Sequence, residues 1–187
     1  MTARFLHVGC GPRGRPIPTQ FMEWDELRMD IDPAVEPDRV GSITTIDLPD
    51  ESVEGVYASH ILEHVEQWDV HQALRECLRV LTPGGVAIIV TPDLLQIAKD
   101  VVDHPGDVET IKPDTPYGPV TVLDMLFGYQ PAVRSGAETM RHRTAFTQLT
   151  LAMHLQEAGF VGAYVIAQDG QLCAVAQKGI ENGKKGD

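Results

Sequence analysis

Short apolar runs alternate with longer amphipathic stretches along most of the chain. Runs of this length, bounded by Gly, Pro, Asp or Ser, are typical of strands buried in a parallel sheet. The pattern predicts seven strands, over residues 4–8, 27–31, 40–43, 53–59, 86–90, 160–167 and 172–177. The last two flank Asp169 and Gly170, a pair that favours the tight turn of an antiparallel hairpin.

Apolar residues at spacings of three and four predict four helices, over residues 61–81, 94–102, 120–127 and 147–158. The first has a possible break near Gln67, and the last begins at the N-cap Thr147 and stops at Gly159. Six prolines interrupt residues 92–144, so we predict an insertion or lid there. Residues 181–187 contain no apolar side chain and are predicted to form a flexible tail.

Strands that alternate with helices and end in a hairpin predict an α/β fold. Its sheet has about seven strands, mostly parallel, with helices on both faces. A length of 187 residues with 43% hydrophobic content fits a single domain over residues 1–180. Ligands of such sheets bind beyond the carboxyl ends of the strands. The functional residues are therefore expected in the loops after Val8, Ile31, Ile43, Ser59 and Val90.

Charge and composition exclude several kinds of partner. The chain has 15 basic and 27 acidic residues and a net charge of −12, which argues against nucleic acid as a partner. Its three cysteines are far apart and form no CxxC pair, which favours a reducing compartment over a disulfide framework. No apolar run approaches the roughly 20 residues that span a bilayer. We expect a cytoplasmic protein without a membrane partner.

The first strand ends in a glycine motif. Residues 9–14 match GxGxxG, and Asp30 follows about 20 residues later, as in dinucleotide-binding folds. An NAD site would need a helix that begins inside the motif, and Pro12, Pro16 and Pro18 disfavour that helix. A plain tight turn and an NAD site both remain alternatives for the motif taken alone.

His60, Glu63 and His64 spell HxxEH, the zinc-binding order of inverted zinc peptidases. That chemistry needs both histidines on one helix and a third ligand on a later helix, whereas His60 is predicted at a strand end. We therefore predict no metal site. Glu63 and His64 are interpreted as the first turn of a helix, where an acidic residue is favoured.

Five segments in one order resemble the class I S-adenosylmethionine (SAM)-dependent methyltransferases, particularly the type-11-like group. They are residues 6–11 (LHVGCG), 29–33 (MDIDP), 47–53 (DLPDESV), 56–65 (VYASHILEHV) and 78–85 (LRVLTPGG). The resemblance covers about residues 4–92 and implies a Rossmann-like fold that binds S-adenosyl-L-methionine.

The resemblance also implies roles for particular residues. Gly9, Cys10 and Gly11 would approach the methionine part of the cofactor, and Asp30 would bind the ribose hydroxyls. Ser42 and Ile43 fall where the family contacts adenine, and Ser59 and His60 lie beside the sulfonium. The full implied set is His7, Gly9, Cys10, Gly11, Asp30, Ile31, Ser42, Ile43, Ser59 and His60.

The chain departs from the family in three respects. His7 stands where the family commonly has an acid that holds the cofactor amino group. Only about 15 residues separate Gly11 from Leu27, which leaves room for no more than a short helix near residues 20–26. Because the first strand is predicted to begin by about residue 4, we also expect the family helices that precede that strand to be absent. We expect one flank of the sheet to be bare and able to receive a partner subunit or a second copy.

The resemblance implies methyl transfer to a small-molecule or metabolite acceptor. Transfer from a sulfonium is an in-line displacement that chiefly needs alignment, so a catalytic base is optional. His60 is the first candidate base, with simple packing as the alternative. His142 is a further candidate catalytic residue, because it belongs to residues 140–146, a basic segment that could bind an anionic acceptor. Ordinary solvated basic residues would explain the segment equally well. The alternative function is a non-catalytic subunit that binds SAM or a partner.

Overall fold

The sheet defines the architecture of the protein. A computed structural model describes residues 2–110 and 119–180. The strands are β1 (Arg4–Val8), β2 (Asp25–Asp30), β3 (Arg39–Val40), β4 (Val53–Ser59), β5 (Leu81–Pro92), β6 (Val161–Gln168) and β7 (Gln171–Gln177). Their order is β3-β2-β1-β4-β5-β7-β6. The first five are parallel, and β7 is antiparallel to both β5 and β6. The predicted fold class is confirmed.

The helices and turns fill the connections. The helices are α1 (Val70–Val80), α2 (Leu94–Asp103), α3 (Val122–Phe127), α4 (Gln130–Arg134) and α5 (Gln148–Ala158). Short 3₁₀ turns lie at Thr19–Phe21, Pro33–Val35, Leu62–His64, Gln67–Asp69 and Glu138–Met140. The predicted flexible tail, residues 181–187, lies outside the described residues, as do residues 111–118 of the predicted insertion.

The helix predicted over residues 61–81 is wrong in its first half. Two 3₁₀ turns replace it, and Val65 between them is extended with φ −82° and ψ 140°. Leu62 and Val65 are nevertheless buried in the core. The spacing of apolar residues therefore indicates burial here, but of an irregular segment and not of a helix. The interpretation of Glu63 and His64 as the first turn of a helix is also wrong.

Several strand limits also differ from the prediction. The third strand, predicted over 40–43, ends at Val40, because Ser42 instead pairs with Thr45 in a narrow turn. The fifth strand is longer than 86–90, since Leu81 already pairs with Val53. The five-residue α4 was not predicted because it is short and has Pro131 in its first turn.

The main core lies between one face of the sheet and helices α1 and α5. Leu74 and Cys77 from α1 and Leu151 and Leu155 from α5 are fully buried there. They pack over the central strands, which contribute Leu6, Val8, Val56, Ala58, Ala87 and Ile89. Strand β5 lies inside the sheet between β4 and β7, as its β-branched sequence predicts.

The opposite face is covered differently. Phe5, Tyr57 and Ile88 of the sheet form a second buried cluster with Phe21, whose ring stacks on Phe5 at a centroid distance of 4.7 Å. Phe21 belongs to the 3₁₀ turn between β1 and β2, so the crossover is as short as predicted and contains no α-helix. Towards β6 this face opens to solvent, and Tyr164 is 67% exposed.

The segment between β5 and α5 leaves the sheet and returns to it at one place. Asp93 pairs with Phe146 in an isolated parallel bridge, and the Leu94 amide donates to the Phe146 carbonyl at 2.9 Å. Asp93 also caps α2 by accepting from the Leu95 amide. Backbone hydrogen bonds therefore join the two ends of this segment, residues 93–146, which is here called the excursion.

Within the described residues, no helix is long and apolar enough to cross a membrane.

Arg79 on α1 clamps the loop between β3 and β4. Its guanidinium donates to the carbonyls of Ile46 and Leu48 at 2.8 and 2.7 Å and to the carboxylates of Glu76 and Asp50. Glu76 in turn accepts from the Ile46 amide at 2.8 Å. The hydrogen bond from Arg79 holds the pKa of Glu76 below its ordinary value. One side chain thus fixes the loop that follows the ligand-side end of β3.

We expect Arg79→Lys to lower the free energy of unfolding by about 1.5–3 kcal/mol, the range for hydrogen bonds to a charged group. A lysine ammonium cannot reproduce the planar fork that reaches two carbonyls and two carboxylates. Urea unfolding measures the loss. The matched control is Arg75→Lys, an exposed site on the same helix, which should leave stability unchanged. Equal stability of the two variants would refute the clamp.

Candidate functional site

The carboxyl ends of the parallel strands bring together most of the predicted site residues. Gly9, Cys10 and Gly11 follow β1, Asp30 ends β2, Ser42 and Ile43 follow β3, and Ser59 ends β4 with His60 next to it. The fold thus places these residues at one edge of the sheet, and their role in binding stays a prediction. The individual contacts distinguish residues that could face a ligand from residues that support the sheet.

The glycine loop is conformationally fixed. Gly9 and Gly11 have φ values of +63° and +57°, in the left-handed region that favours glycine. A Cβ atom on Gly9 would lie 1.9 Å from Cδ1 of Ile61, so the side chain of Ile61 occupies the space that the missing Cβ leaves. Cys10 between them is buried and donates its amide to the Met29 carbonyl at 3.1 Å.

Asp30 joins this loop to the next strand. Its Oδ2 accepts from the Gly11 amide at 2.8 Å, and its Oδ1 accepts from the Asp32 amide at 3.0 Å. A carboxylate offers about four lone-pair positions, so these two bonds leave capacity for two more donors. The half-buried Asp30 can therefore hold the loop and accept from the hydroxyls of a ligand at the same time. Ile31 beside it is 55% exposed.

His7 has an aromatic and an acidic neighbour. The buried ring packs against Tyr57 on the second face, and its Nδ1 lies 2.6 Å from Glu26 Oε1. Burial lowers the pKa of His7, against the opposing effect of Glu26. Arg28, two residues after Glu26 in β2, donates to the carbonyls of Gly11 and Glu36. A polar cavity is lined by His7, Cys10, Arg13, Arg15, Glu26 and Arg28.

Sequence reasoning missed Glu26 and Arg28. Register places Phe5 beside Glu26 and His7 beside Arg28 in the parallel pair β1–β2. Because paired residues of adjacent strands share a face, the alternation of side chains could have placed Glu26 and Arg28 on the face of His7. Glu26 thus places a carboxylate beside His7, the position at which the resembling family commonly has an acid.

The residues predicted beside an adenine differ in accessibility. Ser42 is half-buried, and its hydroxyl lies 2.8 Å from that of Thr44. Ile43 is only 5% exposed and packs in the main core. Ser42 is thus the more accessible of the two, and Ile43 chiefly supports the loop.

A second group of polar side chains follows β4. His60 has a positive φ of +55°, which is uncommon outside glycine, and its amide donates to the Val90 carbonyl at 2.8 Å. Its Nδ1 lies 3.2 Å from Glu63 Oε1, and its Nε2 lies 3.1 Å from Gln171 Oε1. This backbone turns the imidazole towards Glu63 and away from a helical arrangement with His64.

Glu63 is a buried charged residue. Thr91, itself fully buried, donates its hydroxyl to Glu63 Oε2 at 3.1 Å. Burial on its own would raise the pKa of Glu63, but His60, followed by His64 and His142, lowers it on balance. The carboxylate is therefore ionised in spite of being 1% exposed.

The basic segment 140–146 lies against this group. The amides of Arg143 and Thr144 both donate to the Glu63 carbonyl, at 2.8 and 3.2 Å. His142 then packs edge-on against His64 at a centroid distance of 4.9 Å, and burial lowers the pKa of His142. The structure thereby brings both histidines proposed from sequence, His60 and His142, to one place.

The arginines of the same segment are already paired. Arg141 binds Glu138 with its Nε at 2.6 Å, and Arg143 binds Glu66 with its Nη1 at 2.5 Å. An anionic acceptor would have to compete with these carboxylates. The hypothesis that this segment binds an anion through its arginines gains no support from the geometry.

Comparison with known proteins agrees with this arrangement. The family described as "Methyltransferase domain" matches residues 6–89, which span β1 to β5. A relative from Mycolicibacterium smegmatis, named a probable S-adenosylmethionine-dependent methyltransferase, is 44% identical over 55 residues. That match covers 29% of this chain and 21% of the relative, so the chain matches only about a fifth of the length of that protein.

Solved structures share the fold at low sequence identity. The Burkholderia thailandensis 1,6-didemethyltoxoflavin-N1-methyltransferase, solved with S-adenosylhomocysteine, is 16% identical with a TM-score of 0.58, over 95% of this chain and 72% of that chain. A putative methyltransferase in complex with the Haloferax volcanii Trm112 methyltransferase activator is 13% identical with a TM-score of 0.59. That match covers 95% of this chain and 82% of the other.

The family match, the strand order and the glycine loop that faces an acid on the next strand agree with one another. Residues 6–89 therefore match a methyltransferase domain family in sequence, and the sheet shares the fold of solved methyltransferases.

We expect Gly9→Ala to destabilise the protein more than Gly14→Ala. Both positions have positive φ, so both variants carry about 1–2 kcal/mol of backbone strain. Only Gly9 is in contact with Ile61, which adds about 1–3 kcal/mol of overpacking. Chemical denaturation compares the two. Adding Ile61→Ala to Gly9→Ala should recover part of the loss, and equal effects of the two glycine variants would contradict the contact.

Proposed function

We propose that this protein is a SAM-dependent methyltransferase that binds SAM across the carboxyl edge of β1, β2 and β4. The observation that carries the proposal is the hydrogen bond from the Gly11 amide to Asp30. It sets a loop with two glycines and a carboxylate with spare acceptor capacity at the ends of adjacent strands. These are the features that a nucleoside with a vicinal diol and an amino-acid tail requires.

The donors and acceptors at this edge fit the charge and shape of SAM. Asp30 would accept from the ribose hydroxyls, and the backbone of Gly9 and Gly11 would approach the methionine part. Glu26 beside His7 would supply a carboxylate for the cofactor's ammonium group, the role for which the family commonly uses an acid at the position of His7. Ser42 would approach the adenine.

SAM supplies the electrophilic methyl group, so the chain has mainly to align a nucleophile with it and exclude water. His60 and the helices of residues 94–144 would form the acceptor side. His60 Nδ1 faces Glu63, an arrangement in which a carboxylate orients a histidine for proton transfer. Proton transfer at Nε2 would require Gln171 to rotate away, since its side chain is now 3.1 Å from that nitrogen.

We propose a small molecule or metabolite as the acceptor. The excursion over residues 94–144 is anchored at Asp93 and Phe146 beside the site, which supports a role in shaping an acceptor pocket. A second candidate function is a SAM-binding or partner-binding subunit that needs another chain for activity. The exposed face at Tyr164 and the activator found with one relative of the fold favour it.

We expect calorimetric titration to show saturable binding of SAM and of S-adenosylhomocysteine to the cofactor-stripped protein. Asp30→Asn should weaken binding by about 1–3 kcal/mol, because it removes the charge that the ribose hydroxyls contact. Asp25→Asn, at the exposed far end of the same strand, should have no effect. NAD is titrated in parallel. If neither SAM nor its product binds, or if NAD binds instead, the proposal fails.

We expect His60→Asn to reduce methyl transfer by about 10²–10⁴-fold when the acceptor reacts through a hydroxyl, the usual range for a general base. SAM affinity should change little, because His60 lies on the acceptor side. The assay follows labelled methyl groups over a panel of small acceptors, with His71→Asn, on the exposed surface of α1, as the control. SAM binding without transfer to any acceptor until a partner chain is added would favour the subunit function.

A further inference from the structure

Three side chains with metal-binding atoms converge next to the proposed acceptor side. Glu63, His64 and His142, here called the Glu63 cluster, each offer one ligand atom, and these atoms lie within 4.8 Å of one another. Glu63 and His64 come from the turn after β4, whereas His142 comes from the far end of the excursion. The two amide bonds to the Glu63 carbonyl bring the segments together.

Each of the two histidines uses one ring nitrogen for a backbone carbonyl and has its other nitrogen left for a ligand. His64 Nδ1 lies 3.0 Å from the Arg141 carbonyl, and His142 Nδ1 lies 2.9 Å from the Met125 carbonyl. A carbonyl can only accept, so each Nδ1 carries the proton, and Nε2 of the neutral ring keeps its lone pair. A backbone carbonyl behind the ring is the usual support of a metal-binding histidine.

The buried carboxylate of Glu63 has one oxygen whose polar contacts are incomplete. Its Oε2 accepts from Thr91, but its buried Oε1 accepts no hydrogen bond from any residue that the structure describes. His60 Nδ1 lies 3.2 Å from Oε1 and is its nearest charged neighbour among the ion pairs of the described residues. A cation bound to Oε1 would satisfy this buried oxygen more fully than the single contact with His60 does.

We propose that the Glu63 cluster binds a divalent transition-metal ion, with zinc as the best match. Two histidines and one glutamate form a ligand set of catalytic zinc sites, which keep a further position open for water or substrate. Tetrahedral bonds of about 2.0–2.2 Å place ligand atoms about 3.3–3.6 Å apart, so the side chains would close in by roughly an ångström. Both histidines are half-buried, which leaves the open position accessible.

The arrangement is not that of an inverted zinc peptidase. His60, the first histidine of HxxEH, lies at the strand end and is not a member of the cluster, and the second ligating histidine comes from residue 142. An ion at this point would take the contact with Glu63 Oε1 that His60 now makes. The sequence prediction of no metal site considered His60 and His64 as the histidine pair and did not consider His142 as a ligand.

The role of the ion rests on the proposed function, although its binding does not. A cation here would coordinate an oxygen donor of the acceptor, such as a hydroxyl or carboxylate, and lower the pKa of a bound hydroxyl. It would thereby supply the positive charge that Arg141 and Arg143 do not, since Glu138 and Glu66 already neutralise them. The acceptor class that follows is a small molecule able to chelate a metal.

The test titrates zinc ions into the full chain, freed of any affinity tag and dialysed against a chelator, with competition from a chromogenic chelator as the readout. We expect one equivalent of zinc per chain. Binding should weaken at least tenfold in His64→Ala, His142→Ala and Glu63→Gln, and should stay unchanged in His71→Ala, which removes an exposed histidine elsewhere. Cobalt ions in place of zinc should give the intense visible absorption of a low-symmetry four- or five-coordinate site.

Folding of each variant is checked by circular dichroism, and Glu63→Gln keeps the shape of the side chain that Thr91 contacts. If the wild-type chain binds no zinc, or if the three cluster variants bind it as the control does, the proposal is overturned. SAM titration of the same metal-free protein gives a separate result. Loss of SAM binding with zinc binding intact would refute the cofactor proposal and leave the metal site standing.

Discussion

The carboxylate of Asp30 holds the ligand-side edge of the sheet together. It accepts from the loop after β1 and from the turn after β2, so two loops that would otherwise move separately share one acceptor. Arg28 also holds the loop after β1, because its guanidinium donates to the Gly11 carbonyl. Because these bonds use only part of the capacity of Asp30, the group that organises the edge can also face a ligand without giving up its structural contacts.

The short crossover between β1 and β2 changes how the sheet is stabilised. An α-helix in this place would cover the second face with a long apolar stripe, whereas here a single turn inserts the ring of Phe21 against Phe5. The ring lies over Gly55, whose lack of a side chain makes room for it. One aromatic contact thus covers the middle of the face and leaves its β6 end to solvent.

The sequence was a good guide where local pattern and tertiary structure agree. β1 and β4 have the predicted limits, because apolar runs between glycine and acidic turns have few other ways to be buried. It failed over residues 61–69, where apolar spacing typical of a helix is satisfied by 3₁₀ turns. The Glu63 cluster was out of reach, since neither the partner of His64 nor the tautomer of either histidine can be read from spacing along the chain.

The backbone bridge between Asp93 and Phe146 separates changes within the excursion from changes in the strands that hold the glycine loop. Because the chain departs and returns at a single backbone bridge, residues between these points can be lengthened, shortened or replaced without moving the strands that hold the glycine loop and Asp30. Under the proposed function, a change of acceptor preference would fall in this segment and leave the glycine loop and Asp30 unaltered. A library that randomises only this excursion would explore new chemistry on an unaltered scaffold, provided that the anchor at the Glu63 carbonyl is kept.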